Sequence, residues 1–228
     1  MKICVIIPSF NGAKTIGEIV KKVRAQNIEV IVVDDGSYDA TSQRAAGAGA
    51  ITLRNETNSG KGVSLRKGFA YALAQGYDTI IAMDGDGQHR PEDINNFLNA
   101  QQDNPGVAMI IGNRMRTPEG MPFLRRVTNS SMSFLISCLC WQWIPDSQNG
   151  FRLIKAGILK NITLKSSRFE IESEIILEAA KRGVKIMSID TKTVYENHSS
   201  LIHPLKDTMR FIKFIFPYLK PLSCKFTS

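Results

Sequence analysis

Short apolar runs recur along this chain at a regular beat, each closed by polar residues and parted from the next by a helix-length stretch. Ile3 to Ile7 is the first run, ended by Pro8, and Glu29 to Val33 is the next, ended by Asp34 and Asp35. Between them, Ala13 to Ala25 carries apolar residues at helical spacing. The beat continues with Ile51 to Leu53, a helix from about Val63 to Ala74, a strand from Thr79 to Met83, a helix from Pro91 to Gln101 and a strand from Val107 to Ile111. Few folds accept such an order. It predicts an α/β fold with a mostly parallel, Rossmann-like sheet and helices on both faces. After Gly112 the pattern loosens into a turn with Pro118, Gly120 and Pro122 and a mostly apolar helix from about Phe123 to Trp141. A helical stretch from Arg168 to Arg182, stopped by Gly183, and a strand from Val184 to Ile189 complete it.

The 228 residues fit one large domain. We read residues 1–198 as that domain, with a regular half over 1–112 and a less regular half containing the helical region over 113–198. Residues 199–228 form a basic amphipathic tail, in which Lys206, Arg210, Lys213, Lys220 and Lys225 face the single acid Asp207. The formal charge of +8 favours anionic partners, whether nucleic acid, phospholipid or phosphorylated substrate. Cys4, Cys138, Cys140 and Cys224 have neither metal-ligand spacing nor the density of a disulfide scaffold, which points to a reducing compartment. Pro8, Ser9 and Asn11 cut the first apolar run below signal-peptide length. No run reaches the roughly 18 to 20 apolar residues needed to span a bilayer.

In open α/β sheets, ligands sit beyond the carboxyl ends of the strands. That rule selects Ser9 and Asn11, Asp34 and Asp35, and the stretch from Asp84 to His89. Asp84 and Asp86 alternate with Gly85 and Gly87, so a turn can bring both carboxylates to one ligand, with Gln88 offering a further oxygen. Oxygen ligands of this kind suit Mg2+ or Mn2+, with substrate phosphates completing the shell. An acidic turn that merely precedes the helix at Pro91 would contain the same residues. One of Asp34 and Asp35 is placed to receive a ribose or base, and Lys61, between Gly60 and Gly62 at a helix start, suits a phosphate; a helix cap and a solvated loop lysine are the plainer alternatives.

Together, VIIPSFN, VVDDGS, NSGKG and MDGDGQH, in that order, resemble the family 2 glycosyltransferases of GT-A fold. The similarity extends through GNR at Gly112 to Arg114, RRVTNSS at Arg125 to Ser131, DSQNGFRL at Asp146 to Leu153 and FEIESEI at Phe169 to Ile175. It is strongest toward the dolichol-phosphate mannose synthase branch and its polyprenyl-phosphate relatives. The resemblance implies Pro8, Ser9, Asn11, Asp34, Asp35, Lys61, Asp84 and Gly85 around a nucleotide diphosphate sugar, and Asp84, Asp86 and Gln88 around the metal. It implies Arg114, Arg126 and Ser130 on the acceptor phosphate, with Asp86, Arg114 and Arg126 as catalytic residues. One departure is Gly12, where the family usually has an acid.

A second departure is the lack of the paired Glu-Asp base carried by members that attack with a sugar hydroxyl; Glu172 and Glu174 lie near that region without such a partner. A phosphate monoester is already anionic at neutral pH and needs cations to hold it in line rather than a base. The expected reaction is therefore transfer of a hexose to a polyprenyl phosphate by one in-line displacement, which the resemblance implies to be inverting. Aromatic residues such as Phe134, Trp141 and Trp143, and the basic tail, suit the bilayer interface and place the protein on the cytoplasmic membrane face. A separate transmembrane partner would serve the same end. His198 and His203 carry no assigned role. Transfer to a polysaccharide or glycolipid hydroxyl, and a non-catalytic nucleotide- or metal-binding regulator, are the alternatives. No nucleic-acid motif and no dinucleotide fingerprint after the first strand are present.

Overall fold

The computed structural model describes residues 1–116, 118, 120–192 and 204–219, with side chains from 210 onward in the last segment. His198, His203, Lys220, Lys225 and Cys224, and the side chains of Lys206 and Asp207, lie outside the described residues. The chain divides into two units, Met1–Glu196 and Asn197–Ser228. In the first, β1 (Ile3–Ser9), α1 (Ile16–Arg24), β2 (Glu29–Asp34), α2 (Thr41–Gly47), β3 (Ile51–Arg54), α3 (Lys61–Ala74) and β4 (Thr79–Ala82) follow one another. Then come α4 (Ile94–Asp103), β5 (Met109–Asn113), α5 (Phe123–Cys140), β6 (Arg152–Lys155), α6 (Ala156–Asn161), α7 (Ile171–Ala180) and β7 (Ile186–Asp190). In the second unit α8 (Pro204–Leu219) buries Phe211 and Ile215 and exposes Ile212 and Phe216 together with Arg210 and Lys213.

The strands form one sheet in the order β3-β2-β1-β4-β6-β5-β7. All neighbours are parallel except β6, which runs antiparallel to both β4 and β5. The central parallel strands β1, β2, β4 and β5 read as nearly unbroken apolar runs because each is covered on both sides. Val5, Ile7, Val30, Val32 and Ile81 face a core shared with Ile16, Val20 and Val23 of α1 and with Ile94 and Phe97 of α4. Ile6 and Val33 point the other way, and Gly68 of α3 lets that helix lie against them. Each fully buried Ile or Val contributes on the order of 1.5 to 3 kcal/mol relative to exposure, so the sheet's two faces supply most of what holds the fold.

Three elements lie outside the sequence expectation. In α2 only Thr41 and Ala45 are buried, so no apolar stripe marks it. β6 and α6 were hidden by Arg152, whose charge interrupts the apolar pattern of FRLIK. That arginine is nevertheless 1% exposed, its guanidinium donating to the carbonyls of Ser147, Asn149 and Glu172. The antiparallel course of β6 sets which loops share an edge. Ala82 pairs with Arg152, and Ile111 pairs with Arg152 from the other side. The loop that enters β6 therefore emerges at the same sheet edge as the carboxyl ends of β4 and β5.

Candidate functional site

At that edge the turn after β4 is fastened to the first strand's exit. Thr15 Oγ1 donates to the Gly85 carbonyl at 2.6 Å, and Gln88 N donates to Asp86 Oδ1 at 2.9 Å. Gly85 and His89 are buried, Asp84 and Gln88 are half-buried, and Asp86 is exposed. His89 stacks on Phe151 with ring centroids 5.1 Å apart, and its Nδ1 accepts from Asp84 N at 3.2 Å. Burial holds the imidazole below its ordinary pKa, outweighing the attraction of Asp84 and Asp86, so this ring is neutral at pH 7.

The Asp84 carboxylate is held by Lys61, whose Nζ lies 2.5 Å from Asp84 Oδ1 and also bonds Glu172 Oε1. Burial acts against each charge, but the mutual pairing prevails: Asp84 sits well below the usual carboxylate range, and Lys61 sits above the usual amine range. Gly150 closes the back of this group. A Cβ there would stand 2.7 Å from Asp84 Oδ2 and 2.9 Å from Glu172 Oε1, so any side chain at this position would displace the two carboxylates. Glu172 also lies 4.0 Å from Arg152.

Lys61 is placed by its neighbours. Gly60 has φ of +99°, and its N–H donates to Asp35 Oδ2 at 2.7 Å, while Ser59 N and Asn55 Nδ2 donate to Asp35 Oδ1. Asp35 thus holds the loop that presents Lys61. Asp34, with no exposed surface, accepts from Ser37 N, Ser42 Oγ and Arg54 Nη1. The expectation that Asp34 faces a donor is corrected here: complete burial and three internal donors make it the anchor of the 37–42 turn. Ser9 is buried at the end of β1, Pro8 is half-buried, and Asn11 is exposed with φ of +51°. Asn11 Oδ1 accepts from Tyr38 N, and Gly12 N donates to Thr41 Oγ1. A Cβ added at Gly12 would collide with Ser9 Oγ, so the serine hydroxyl occupies the space a side chain there would need.

On the other side, Arg114 is buried, and its Nε and Nη2 donate to Asp146 at 2.8 and 2.9 Å. Burial would raise the Asp146 carboxyl, but Arg114 overcomes it and holds it below the usual range. Arg114 is near enough to help depress Asp84, so it contributes charge to the site, although this face of its guanidinium is committed to Asp146. Arg126 and Ser130 are exposed on α5. Ser130 borders a cavity of about 280 Å³ with Arg116, Phe134, Trp143 and Ile144. Along the same helix Leu124, Val127, Phe134 and, just past its end, Trp141 are exposed at spacings that keep them on one side. Among the described residues, no helix is long and apolar enough to cross a membrane.

The sheet edge therefore brings together Asp84, which the strand-end rule selected, with Lys61 and the Arg114 charge, which it did not. Glu172, Asp146, Asn149 and Arg152 had no assigned role. Their signal was present in DSQNGFRL and FEIESE, where charged and amide residues interrupt apolar stretches. Asn149 bonds the Gly112 carbonyl and receives Phe151 N, which ties the entry of β6 to the exit of β5.

The chain matches the model for "Glycosyl transferase family 2" over residues 4–163. An uncharacterized protein of Methanocaldococcus jannaschii is 36% identical over 204 residues, covering 87% of this chain and 84% of that one. The UDP-N-acetylglucosamine--dolichyl-phosphate N-acetylglucosaminyltransferase of Methanococcus voltae is 29% identical over 220 residues, covering 86% of this chain and 87% of that one. A crystal structure of glucosyl-3-phosphoglycerate synthase from Mycobacterium tuberculosis, in complex with Mn2+, uridine diphosphate and glucosyl-3-phosphoglycerate, aligns with a TM-score of 0.73 at 18% identity. The alignment covers 96% of this chain and 78% of that one, and it shows the shared GT-A type fold.

Proposed function

The chain belongs to glycosyl transferase family 2, and from that premise we propose that it moves a hexose from a nucleotide diphosphate sugar to a polyprenyl phosphate at a membrane surface. The observation that carries this reading is the single sheet edge at which the MDGDGQH turn, the half-buried Lys61 and the exit of β5 toward α5 converge. Pro8, Ser9, Asn11 and Gly85 line the donor side, with Asp35 presenting Lys61 to it. Asp84 and Asp86, with the Gln88 amide, are hard oxygen donors that fit Mg2+ or Mn2+. Among the described residues no group of three or more His, Cys, Asp or Glu side chains is placed to hold a metal ion, and the proposed shell is one that the donor's own phosphates complete. When bound, such an ion supplies Lewis-acid stabilisation of the departing diphosphate. Asp86, the exposed member of the pair, reaches toward solvent where the donor would enter.

On the acceptor side Arg126 and Ser130 bind the lipid phosphate, while Arg114, fixed by Asp146, adds positive charge and orders the turn between β5 and α5. The cavity beside Ser130, polar at Arg116 and apolar at Phe134, Trp143 and Ile144, matches a phosphate joined to hydrocarbon. The exposed apolar side of α5, with Arg126 on the same helix, suits an anionic bilayer surface. An anionic phosphate needs only to be held in line with the anomeric carbon, and the displacement inverts that centre. Transfer to a hydroxyl is less consistent with this site. Glu172 is tied to Lys61, and Glu174 accepts from the N–H groups of Lys165 and Ser166, so neither carboxylate is placed as a base.

The test is a thermal-shift panel of uridine and guanosine diphosphate sugars with and without Mn2+. The reading expects at least one donor to raise the melting temperature in a Mn2+-dependent manner. A panel in which no nucleotide sugar shifts the melt under either condition would remove the donor site.

A further inference from the structure

Lys61 is a fixed cation placed where a metal ligand is needed. Its Nζ is 2.5 Å from Asp84 Oδ1, so that oxygen cannot serve a divalent ion while the contact persists. Its backbone has little freedom: Gly62 N and Val63 N donate to the Ser167 carbonyl at 2.9 and 3.3 Å, and a Cβ on Gly60 would collide with that same oxygen. Movement is left to the four-carbon stem. The ammonium also has a second carboxylate, Glu172, 6% exposed and itself close to Arg152, which is locked by three carbonyls. Lys61 can thus let go of Asp84 without losing every anionic partner.

We propose that Lys61 is a place-holding cation that makes divalent-metal binding conditional on the donor's diphosphate. The inference rests on the donor reading and deepens it. Without a donor, Lys61 neutralises Asp84 and leaves Asp86 as the single carboxylate of the turn open to an ion. A nucleoside diphosphate brings negative charge to the same edge, and Lys61 turns its ammonium to a phosphate oxygen while keeping Glu172. That releases the Asp84 carboxylate to act with Asp86 and the diphosphate as one oxygen set. Metal and nucleotide then bind as a coupled pair, each strengthening the other by the same factor. No bond is made or broken in this exchange of ionic partners.

The test is Mn2+ titration by electron paramagnetic resonance, on the intact protein, with and without UDP or GDP. For the wild type, a nucleoside diphosphate should tighten Mn2+ binding by about tenfold or more, a normal size for coupled sites. Lys61→Met should bind Mn2+ alone about tenfold more tightly than the wild type, and its gain from the diphosphate should fall below about threefold. Lys61→Arg, which keeps the charge, should behave as the wild type. If Lys61→Met does not fold, Lys61→Ala, which also removes the ammonium and puts no donor in its place, provides the same comparison. A folded Met or Ala variant that binds Mn2+ alone no better than the wild type overturns the proposal, while the wild-type ternary complex keeps the donor reading intact. If the wild type fails to bind Mn2+ with either nucleoside diphosphate, the donor reading fails and this proposal falls with it.

Discussion

Gly150→Ala tests the packing of the site at its tightest point. The new methyl would stand 2.7 and 2.8 Å from the two Asp84 oxygens and 2.9 Å from Glu172 Oε1, where ordinary contact begins near 3.4 Å. Lys61 binds both carboxylates, so moving either one aside disturbs the whole paired group. Overpacking of this kind costs about 1 to 3 kcal/mol. In a domain of this size each kcal/mol shifts the melting temperature by roughly 2 to 4 °C, so the melt should fall by roughly 2 to 12 °C. Turnover should drop further than stability, by about a hundredfold, because a displacement near 1 Å at a positioning group has that effect. Gly157→Ala is the control, since nothing lies within 4 Å of its Cβ and it sits in α6. It should be neutral or stabilising by up to about 1 kcal/mol. Differential scanning calorimetry and a donor-dependent turnover assay give both readouts. Gly150→Ala melting and turning over like the control would refute the packing argument.

Two other substitutions separate chemistry from framework. Asp86→Asn should cut turnover by roughly a hundredfold or more while the melt stays near that of the wild type, because the exposed carboxylate is available to the departing diphosphate and bears little on folding; normal turnover in that variant, measured with chelator present, would contradict it. Arg114→Met should cost about 3 to 5 kcal/mol at pH 7 in chemical denaturation, since it strands the buried Asp146 carboxylate. The pH dependence has a definite sign. Asp146 is held below its unfolded value of about 3.9, so its contribution is complete above that pH and is lost as pH falls through the folded value. The gap between wild type and Arg114→Met should therefore narrow below about pH 4, and a gap that widens there would place the charge pairing elsewhere.

The parallel half of the sheet was legible because its strands are covered on both faces and so are spelled as unbroken apolar runs. The acidic turn was legible because Asp84 and Asp86 stand directly after such a run. β6 was not, because its signal was overwritten by Arg152, a charge that burial tolerates only through three carbonyls brought together by the finished fold. Nor did spacing show that Lys61 and Glu172, 111 residues apart, meet over Asp84. That contact needs the antiparallel return of β6 and the placing of α7, both products of tertiary packing. Asp34 and Asp35 have structural roles that spacing did not show: their carboxylates hold the 37–42 turn and the Lys61 loop.

The measurement closest to the central claim is mass spectrometry of the lipid product after the protein is given a nucleotide diphosphate sugar, Mn2+ and a detergent-dispersed polyprenyl phosphate beside a soluble saccharide. One hexose added to the lipid phosphate, with the saccharide unmodified, is the predicted result. A hexose found on saccharide hydroxyls, with the lipid phosphate untouched, would contradict it.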